Sequence, residues 1–181
     1  MRIGLFGGSF NPPHLGHAMV AAWLLWSDRV DEVWLVPTYD HPFAKELLPF
    51  SDRLTLVKSM AESVDPRIVV SEIERELPQP SYSLQTLRHL QKLHKEHSFR
   101  LVVGADVLLE IGAWHRWDLI MAEFKPIIVG RVGYEPVEGA PQFPLISSTE
   151  IRRMLAAGKD VSHLVASSTV KSLVGLYGSI G

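Results

Sequence analysis

The chain has 181 residues, 46% of them hydrophobic and 21% charged, and its 18 basic and 20 acidic side chains give a formal net charge of -2. This predicts a single globular domain over residues 1–181 and excludes a global attraction for nucleic acid, so polyphosphate ligands must be bound by local charges and backbone amides. The sequence contains no cysteine, which excludes disulfides, thiolate metal sites and a cysteine nucleophile.

Membrane and export signals are also missing from the sequence pattern. No apolar run approaches the ~20 residues of a membrane-spanning helix. The first residues are too few and too glycine-rich for the apolar region of a secretory signal. We therefore expect a cytoplasmic protein without membrane or nucleic-acid partners, either a monomer or a homo-oligomer.

Short apolar runs alternate with helix-length segments along the chain. Runs typical of buried strands occur at residues 2–6, 32–37, 67–73, 99–106, 125–131 and 143–146. Helical segments occur at residues 15–27, 53–64, 84–97, 107–121, 147–157 and 167–178. This alternation predicts the α/β class, with a Rossmann-like doubly wound parallel sheet and helices on both faces. Ligands of such sheets lie beyond the carboxyl ends of the strands, so the strand-to-helix turns are the places to search for a site.

The first of these turns is rich in glycine, in the stretch "GLFGGSFNPPHLGH". Gly7 and Gly8 allow positive φ and a close approach of the backbone to a ligand, and the following helix start offers unpaired amides to an anion. The spacing matches neither Gly-x-Gly-x-x-Gly nor a P-loop, which argues against an NAD-dependent oxidoreductase. The turn therefore predicts a phosphate site of another kind.

Two histidines follow the glycines. His14 and His17 are three residues apart at the start of a helix, so they lie on nearly the same face and would point towards an anion held by the amides. In isolation, such a pair is more typical of one histidine that caps the helix and one that packs. The glycines before them favour phosphate binding instead.

The stretch "GGSFNPPHLGH" resembles the nucleotidylyltransferases, whose mark is a glycine-rich turn followed by His-x-Gly-His. Downstream stretches, including "PSYSLQTLRHL", "LVVGADVLLEIGAWHRW" and "ISSTEIRRML", are similar to the bacterial nicotinate-nucleotide adenylyltransferases. The resemblance implies adenylyl transfer from ATP to nicotinate mononucleotide, giving nicotinate adenine dinucleotide and pyrophosphate in NAD biosynthesis. It also implies Mg²⁺ bound mainly through the ATP phosphates, with no carboxylate cluster dedicated to the metal.

A second phosphate site is predicted at "ISSTEIR". Ser147, Ser148 or Thr149 can cap a helix, and Arg152 follows one turn later. A simple helix cap explains these residues, but hydroxyls, free amides and an arginine also form a polyphosphate clamp. The resemblance assigns Ser147, Ser148, Thr149 and Arg152 to the β- and γ-phosphates of ATP. The complete predicted ATP set is Gly7, Gly8, Ser9, Phe10, His17, Gly104, Asp106, Arg131, Ser147, Ser148, Thr149 and Arg152.

The pyridine nucleotide is predicted to bind at "PSYSLQTL" and "GAWHRW". Ser83 begins a helix between Tyr82 and Thr86, and the first-turn amides with the Thr86 hydroxyl would favour a carboxylate over a neutral carboxamide. A cap and a core tyrosine are the simpler explanation. By resemblance, Trp114 stacks on the pyridine ring. Lys45 would reach the mononucleotide phosphate, and the catalytic set is His14, His17, Arg152 and Lys45.

Residues 38–50 depart from the family pattern. Many members carry Pro-Pro-His-Lys where this chain has "DHPFAK", and this difference bears on the position of Lys45 and on the preference for the acid substrate. The alternatives are a dual-specificity or nicotinamide mononucleotide adenylyltransferase, or a sister transferase acting on another phosphate acceptor. A nucleotide-binding regulator without catalysis is a further hypothesis, against which His14, His17 and Arg152 argue.

Overall fold

The computed structural model describes residues 1–40 and 47–177. Within them, six parallel strands form one sheet in the order β3-β2-β1-β4-β5-β6. The strands are β1 (Arg2–Gly8), β2 (Glu32–Pro37), β3 (Ile68–Val70), β4 (Ser98–Gly104), β5 (Ile127–Arg131) and β6 (Gln142–Phe143). This strand order is that of doubly wound dinucleotide-binding sheets, and it confirms the predicted fold class.

The helices of the described residues connect these strands. They are α1 (Leu15–Trp26), α2 (Phe50–Glu62), α3 (Ser83–Leu93), α4 (Trp117–Phe124), α5 (Ser148–Ala156) and α6 (Val170–Tyr177). Short 3-10 turns occur at Ile73–Glu76, Ala105–Leu109, Ile111–Ala113 and Ser167–Thr169. In the part of the chain that the structure describes, no helix has the length and apolar character needed to cross a bilayer.

The sheet is covered on both faces because successive residues of each strand point in opposite directions. Leu35 of β2 faces α1 and α2, in a core that also contains Leu24 and Val57. Its neighbour Val36 faces α3 and α4, in a second core with Leu87. Both cores are buried, which explains why the strands are apolar on both sides.

A third apolar cluster lies beside the sheet. It joins α2, α5 and α6 through buried side chains that include Leu56, Ile151 and Leu173. Tyr177 also belongs to it, and its hydroxyl donates a hydrogen bond to Asn11 Oδ1 at 2.6 Å. The cluster therefore fixes α5 and α6 close to the turn that follows β1.

Several element boundaries differ from the sequence-based prediction, the largest difference being the segment 107–121, where two 3-10 turns precede α4. Helix α2 begins at Phe50, three residues before the predicted segment 53–64, with Pro49 in the cap position. Helix α3 begins at Ser83, as expected, with Tyr82 as the cap, but it ends at Leu93, before the predicted end at residue 97. The last strand is shorter than expected and ends before Pro144, which has no N–H to donate to a neighbouring strand.

Candidate active site

A cavity of about 870 Å³ lies beyond the carboxyl ends of β1, β4 and β5. Its size is within the roughly 300–1,000 Å³ range of small-molecule sites. It brings together predicted site residues from four segments that are distant in sequence. Of the predicted site residues, those that line it are Gly7, Gly8, Ser9, His14, His17, Tyr82, Ser83, Thr86, Gly104, Asp106, Trp114 and Arg131.

Of the remaining predicted site residues within 1–40 and 47–177, none lines this cavity. Phe10 is buried beneath its floor, with 1% of its surface exposed. The "ISST" hydroxyls and Arg152 lie beside the cavity, and the neighbouring Ile146 reaches its wall. Lys45 lies outside the described residues.

The turn after β1 is strained at Phe10 and not at a glycine. Gly7 and Gly8 are the last residues of β1, whereas Phe10 has a φ of 46°. Gly7 and Gly8 allow positive φ, but neither of them adopts it. The Phe10 ring is held 4.8 Å from the His17 ring, and packing of this kind can maintain a strained residue at a functional site.

Arg53 supports the same turn from below, and sequence reasoning missed it. Its side chain is 1% exposed, and its Nη1 donates to the carbonyl oxygen of Ser9 at 2.8 Å while Nε donates to that of Leu48 at 3.0 Å. Arg53 occupies the buried stripe of α2, three and four residues before Leu56 and Val57. An arginine at such a position is the signal that could have identified it.

His14 and His17 form a stacked pair at the start of α1. Their ring centroids are 3.8 Å apart and their planes differ by 26°. The backbone N–H of His14 donates to Nδ1 of His17 at 3.1 Å. Since Nδ1 of His17 accepts a hydrogen bond, the proton of its neutral form lies on Nε2.

Gly16 is required by the His14 ring. A Cβ added at Gly16 would lie 2.9 Å from His14 Nδ1 and 3.0 Å from Cε1. These distances are shorter than a normal van der Waals contact. The glycine of His-x-Gly-His therefore provides the space in which the first histidine ring lies.

Both histidines are held neutral. Burial is the main cause that lowers the pKa of His14 from 6.5 to about 4, and the nearby charge of Arg131 adds to it. Burial also lowers the pKa of His17 well below its usual value, with contributions from His14 and Arg131. At neutral pH the pair thus offers N–H donors without a positive charge.

These pKa shifts predict an acid-sensitive fold. Because the folded-state pKa values lie below 6.5, the unfolded chain binds more protons at acidic pH. The stabilisation is complete above about pH 6.5 and is lost as the pH falls towards about 4. We expect urea unfolding to show a falling free energy of unfolding over this range, with a shallower slope in His14→Ala. An equal slope in both proteins would contradict this assignment.

Asp106 and Arg131 form an ion pair on the cavity wall. Arg131 Nη1 lies 2.5 Å from Asp106 Oδ2, and Nη2 donates to the carbonyl oxygen of Ile146 at 3.2 Å. Asp106 folds back over Gly104, where a Cβ would collide with its carboxylate. Arg131 therefore connects the ends of β4 and β5 to the segment that leads into α5.

The start of α5 is bound to the turn after β1. Ser148 Oγ donates to the carbonyl oxygen of Pro12 at 2.8 Å, and Arg152 Nη1 donates to that of Asn11 at 2.6 Å. Arg152 Nη2 also donates to Thr149 Oγ1 at 3.3 Å. The two predicted phosphate segments are therefore neighbours, although they are more than 130 residues apart in sequence.

The opposite wall of the cavity is formed by the start of α3 and the segment after β4. Tyr82 packs on His115, with 4.6 Å between the ring centroids, and Trp114 packs edge-on against Trp117 at 5.4 Å. Glu74 also lines this wall, although only 8% of it is exposed, and sequence reasoning missed it. It lies in "EIERE", where the alternating charges do not indicate which glutamate is buried.

Among the described residues, three carboxylate side chains line the cavity; Glu110 is exposed, and the other two are paired within the protein. Asp106 is paired with Arg131, and both oxygens of Glu74 accept hydrogen bonds from hydroxyl groups. Among residues 1–40 and 47–177, the group of three side chains close enough to hold an ion is His94, Glu96 and His97, and none of them lines the cavity. These contacts fit a divalent ion that is held mainly by substrate phosphates and water.

Comparison with known proteins shows the family of the chain. The sequence profile of the cytidylyltransferase-like family matches residues 5–154. A relative from Anaeromyxobacter sp. (strain K), named "Probable nicotinate-nucleotide adenylyltransferase", is 47% identical over 97% of this chain and 96% of its own. A relative with the same name from Myxococcus xanthus (strain DK1622) is 33% identical over 98% and 95% of the two chains.

Solved structures share the fold. The Plasmodium falciparum nicotinic acid mononucleotide adenylyltransferase complexed with NaAD is 20% identical and has a TM-score of 0.79, covering 96% of this chain and 95% of its own. The same enzyme complexed with APC has a TM-score of 0.75, with 96% and 94% coverage. The family profile and the near full-length relatives agree that the chain belongs to the cytidylyltransferase-like family and, within it, to the nicotinate-nucleotide adenylyltransferases.

Proposed function

We propose that the protein transfers the adenylyl group of ATP to nicotinate mononucleotide. The single observation that carries the proposal is the cavity, which joins a phosphate turn with two neutral histidines to a wall that holds Trp114 and the start of α3. One substrate phosphate group and one aromatic ring can thus be bound on opposite sides of one site. The names of the near full-length relatives support the same reaction.

The reaction needs positioning more than covalent chemistry. An oxygen of the mononucleotide phosphate attacks the α-phosphorus of ATP, and the bond from that phosphorus to the oxygen bridging it to the β-phosphate breaks. The electron pair leaves with pyrophosphate, so the products are nicotinate adenine dinucleotide and pyrophosphate. Such a step is accelerated by alignment of the two phosphates and by groups that stabilise the charge that develops between them.

His14 and His17 are the proposed donors to the α-phosphoryl oxygens. The Nε2 proton of His17 is the one left for the substrate, since its Nδ1 accepts from the His14 backbone. Neutral imidazoles donate without a proton transfer, so their contribution does not depend on pH above about 6.5. The backbone amides of the turn at Gly7, Gly8 and Ser9 are the further proposed donors on this phosphate-binding side of the site.

Further groups are proposed for the rest of ATP. The start of α5, with Ser147, Ser148, Thr149 and Arg152, lies beside the turn and would bind the β- and γ-phosphates. Gly104, Asp106 and Arg131 would border the adenosine, and Lys45 would approach the mononucleotide phosphate. Enzymes of this family generally use a divalent metal with ATP, which we take to be Mg²⁺ neutralising charge on the phosphates.

Selection of the acid substrate is proposed to arise at the first turn of α3. The unpaired amides after Tyr82 attract a carboxylate, and a neutral carboxamide gains less from the helix dipole. Trp114 would stack on the pyridine ring. We further propose that residues 1–181 act as one domain and in the cytoplasm.

The function is tested by measuring pyrophosphate release with ATP and Mg²⁺, using nicotinate mononucleotide and nicotinamide mononucleotide as alternative acceptors. We expect turnover with both, and a kcat/KM at least about tenfold higher for the acid, which corresponds to one favourable charge interaction. Similar kcat/KM values for the two acceptors would still support adenylyl transfer but would exclude a selective role for the first turn of α3. No turnover with either substrate would overturn the proposed reaction.

A further inference from the structure

We propose that Glu74 is a positioning residue for the pyridine nucleotide, acting through the hydroxyl groups of Ser81 and Thr86. The inference rests on the proposed function, since it assigns the wall of the cavity at the start of α3 to the pyridine side. It goes further by naming the group that fixes this wall. It also names which donors remain for the substrate.

Glu74 accepts hydrogen bonds from both ends of the segment that leads into α3. Thr86 Oγ1 donates to Oε1 at 2.8 Å, and Ser81 Oγ donates to Oε2. All three side chains are buried, with exposed fractions of 8% or less, and all three line the cavity. Hydrogen bonds to a buried carboxylate are stronger than those between neutral groups, so this cluster fixes its members firmly.

The segment between Glu74 and Ser81 is closed by a third contact. Gln79 Nε2 donates to the carbonyl oxygen of Glu74 at 2.6 Å and to that of Leu77 at 3.1 Å. The 3-10 turn Ile73–Glu76 is thereby joined to Gln79 of the connecting segment through the Glu74 backbone, and to α3 through the Glu74 side chain. Glu74 is the residue common to both connections.

This arrangement changes the role available to Thr86. A hydroxyl has one proton, and that of Thr86 has two acceptors within the protein, Glu74 Oε1 at 2.8 Å and the Tyr82 carbonyl oxygen at 3.4 Å. The charged and nearer acceptor holds the proton. Thr86 therefore presents lone pairs to the cavity, and the backbone amides of α3 are the donors left for a substrate carboxylate.

The first test separates binding of the two substrates. In Glu74→Ala we expect KM for nicotinate mononucleotide to rise about tenfold, since a buried charged hydrogen-bond centre is lost, while KM for ATP and kcat stay within about twofold. Glu74→Gln should raise KM for nicotinate mononucleotide less than Glu74→Ala does, because its amide can still form hydrogen bonds with both hydroxyls. Glu76→Ala is the matched control, an exposed glutamate of the same 3-10 turn that should behave as the unaltered protein.

A second test addresses Thr86 directly and does not depend on whether Glu74→Ala folds. Thr86→Val removes the hydroxyl with little change of shape and should raise KM for the acid and the amide substrate by the same factor. Thr86→Ser, which keeps the hydroxyl, should restore both values. A selective loss for the acid would show that the Thr86 hydroxyl contacts the substrate carboxylate, and would overturn the inference.

The outcomes distinguish this inference from the proposed function. If the unaltered protein does not turn over either pyridine mononucleotide, the proposed function fails whatever the variants show. If it does, and Glu74→Ala leaves KM for the mononucleotide unchanged or raises KM for ATP equally, the positioning role of Glu74 fails alone. Circular dichroism of each variant with and without ATP establishes that the comparison is made on folded protein.

Discussion

Replacing His17 by alanine is expected to lower kcat by about 10²- to 10³-fold, as for removal of one donor to a developing oxyanion. His17 lines the cavity, and its Nδ1 is occupied by the His14 backbone N–H, so Nε2–H is the donor that the substitution removes. The KM for ATP should change less, because the interaction is strongest in the transition state. Steady-state rates of pyrophosphate release at saturating ATP measure the effect.

The control for this substitution is His163→Ala. His163 is exposed and lies outside the cavity, so it tests the loss of a histidine without the loss of the proposed donor. Its kcat should equal that of the unaltered protein. If His17→Ala also retains full turnover, His17 supports the Phe10 turn by packing and takes no part in the reaction.

The strands and the location of the site could be predicted because both follow from the pattern of apolar runs along the chain. Apolar runs such as "RIGLF" and "EVWLVP" are buried on both faces, and such runs indicate parallel strands whatever their partners. The carboxyl ends of parallel strands meet at one edge of a sheet. The amino-acid sequence therefore sufficed to predict that Gly8, Gly104 and Arg131 lie at one site.

Three features of the site depend on tertiary contacts that the pattern of apolar residues in the sequence does not predict. Phe10 takes the strained conformation because its buried ring contacts His17, and not because the residue type favours it. The buried stripe of α2 indicates that Arg53 points into the core, but it does not indicate the acceptors. These are the carbonyl oxygens of Ser9, Tyr39 and Leu48, which come from separate segments before α2. Glu74 is the buried member of "EIERE", whereas Glu72 pairs with Lys58 and Arg75 at the surface.

The start of α5 is consistent with both explanations of its sequence, a local helix cap and a phosphate clamp formed with a distant segment. The sequence predicted either a helix cap or a phosphate clamp at "ISSTEIR". In the structure Ser147 is the cap position, while Ser148 and Arg152 donate to carbonyl groups of the Asn11–Pro12 segment. These bonds fix the helix start beside the phosphate turn, which is the placement that a clamp for ATP requires.

Gly16→Ala is expected to lower kcat by about 10- to 100-fold, the range for a catalytic group displaced by about 1 Å. The added Cβ would lie 2.9 Å from His14 Nδ1, so the ring must move away from its stacked position against His17. Alanine favours a helix interior by about 1 kcal/mol over glycine, and part of this gain applies at Gly16, the second residue of α1, where it offsets part of the cost of the clash. We therefore expect a folded protein with a Tm near that of the parent.

A double-mutant cycle decides whether Gly16 acts through His14. If the glycine serves only to make room for the His14 ring, Gly16→Ala should have no further effect on kcat once His14→Ala has removed that ring. The effects of the two substitutions on kcat would then be strongly non-additive. If Gly16→Ala lowers kcat equally in both backgrounds, the added methyl group disturbs the ligand or the helix start directly, and the glycine of His-x-Gly-His is required by the substrate and not by the histidine.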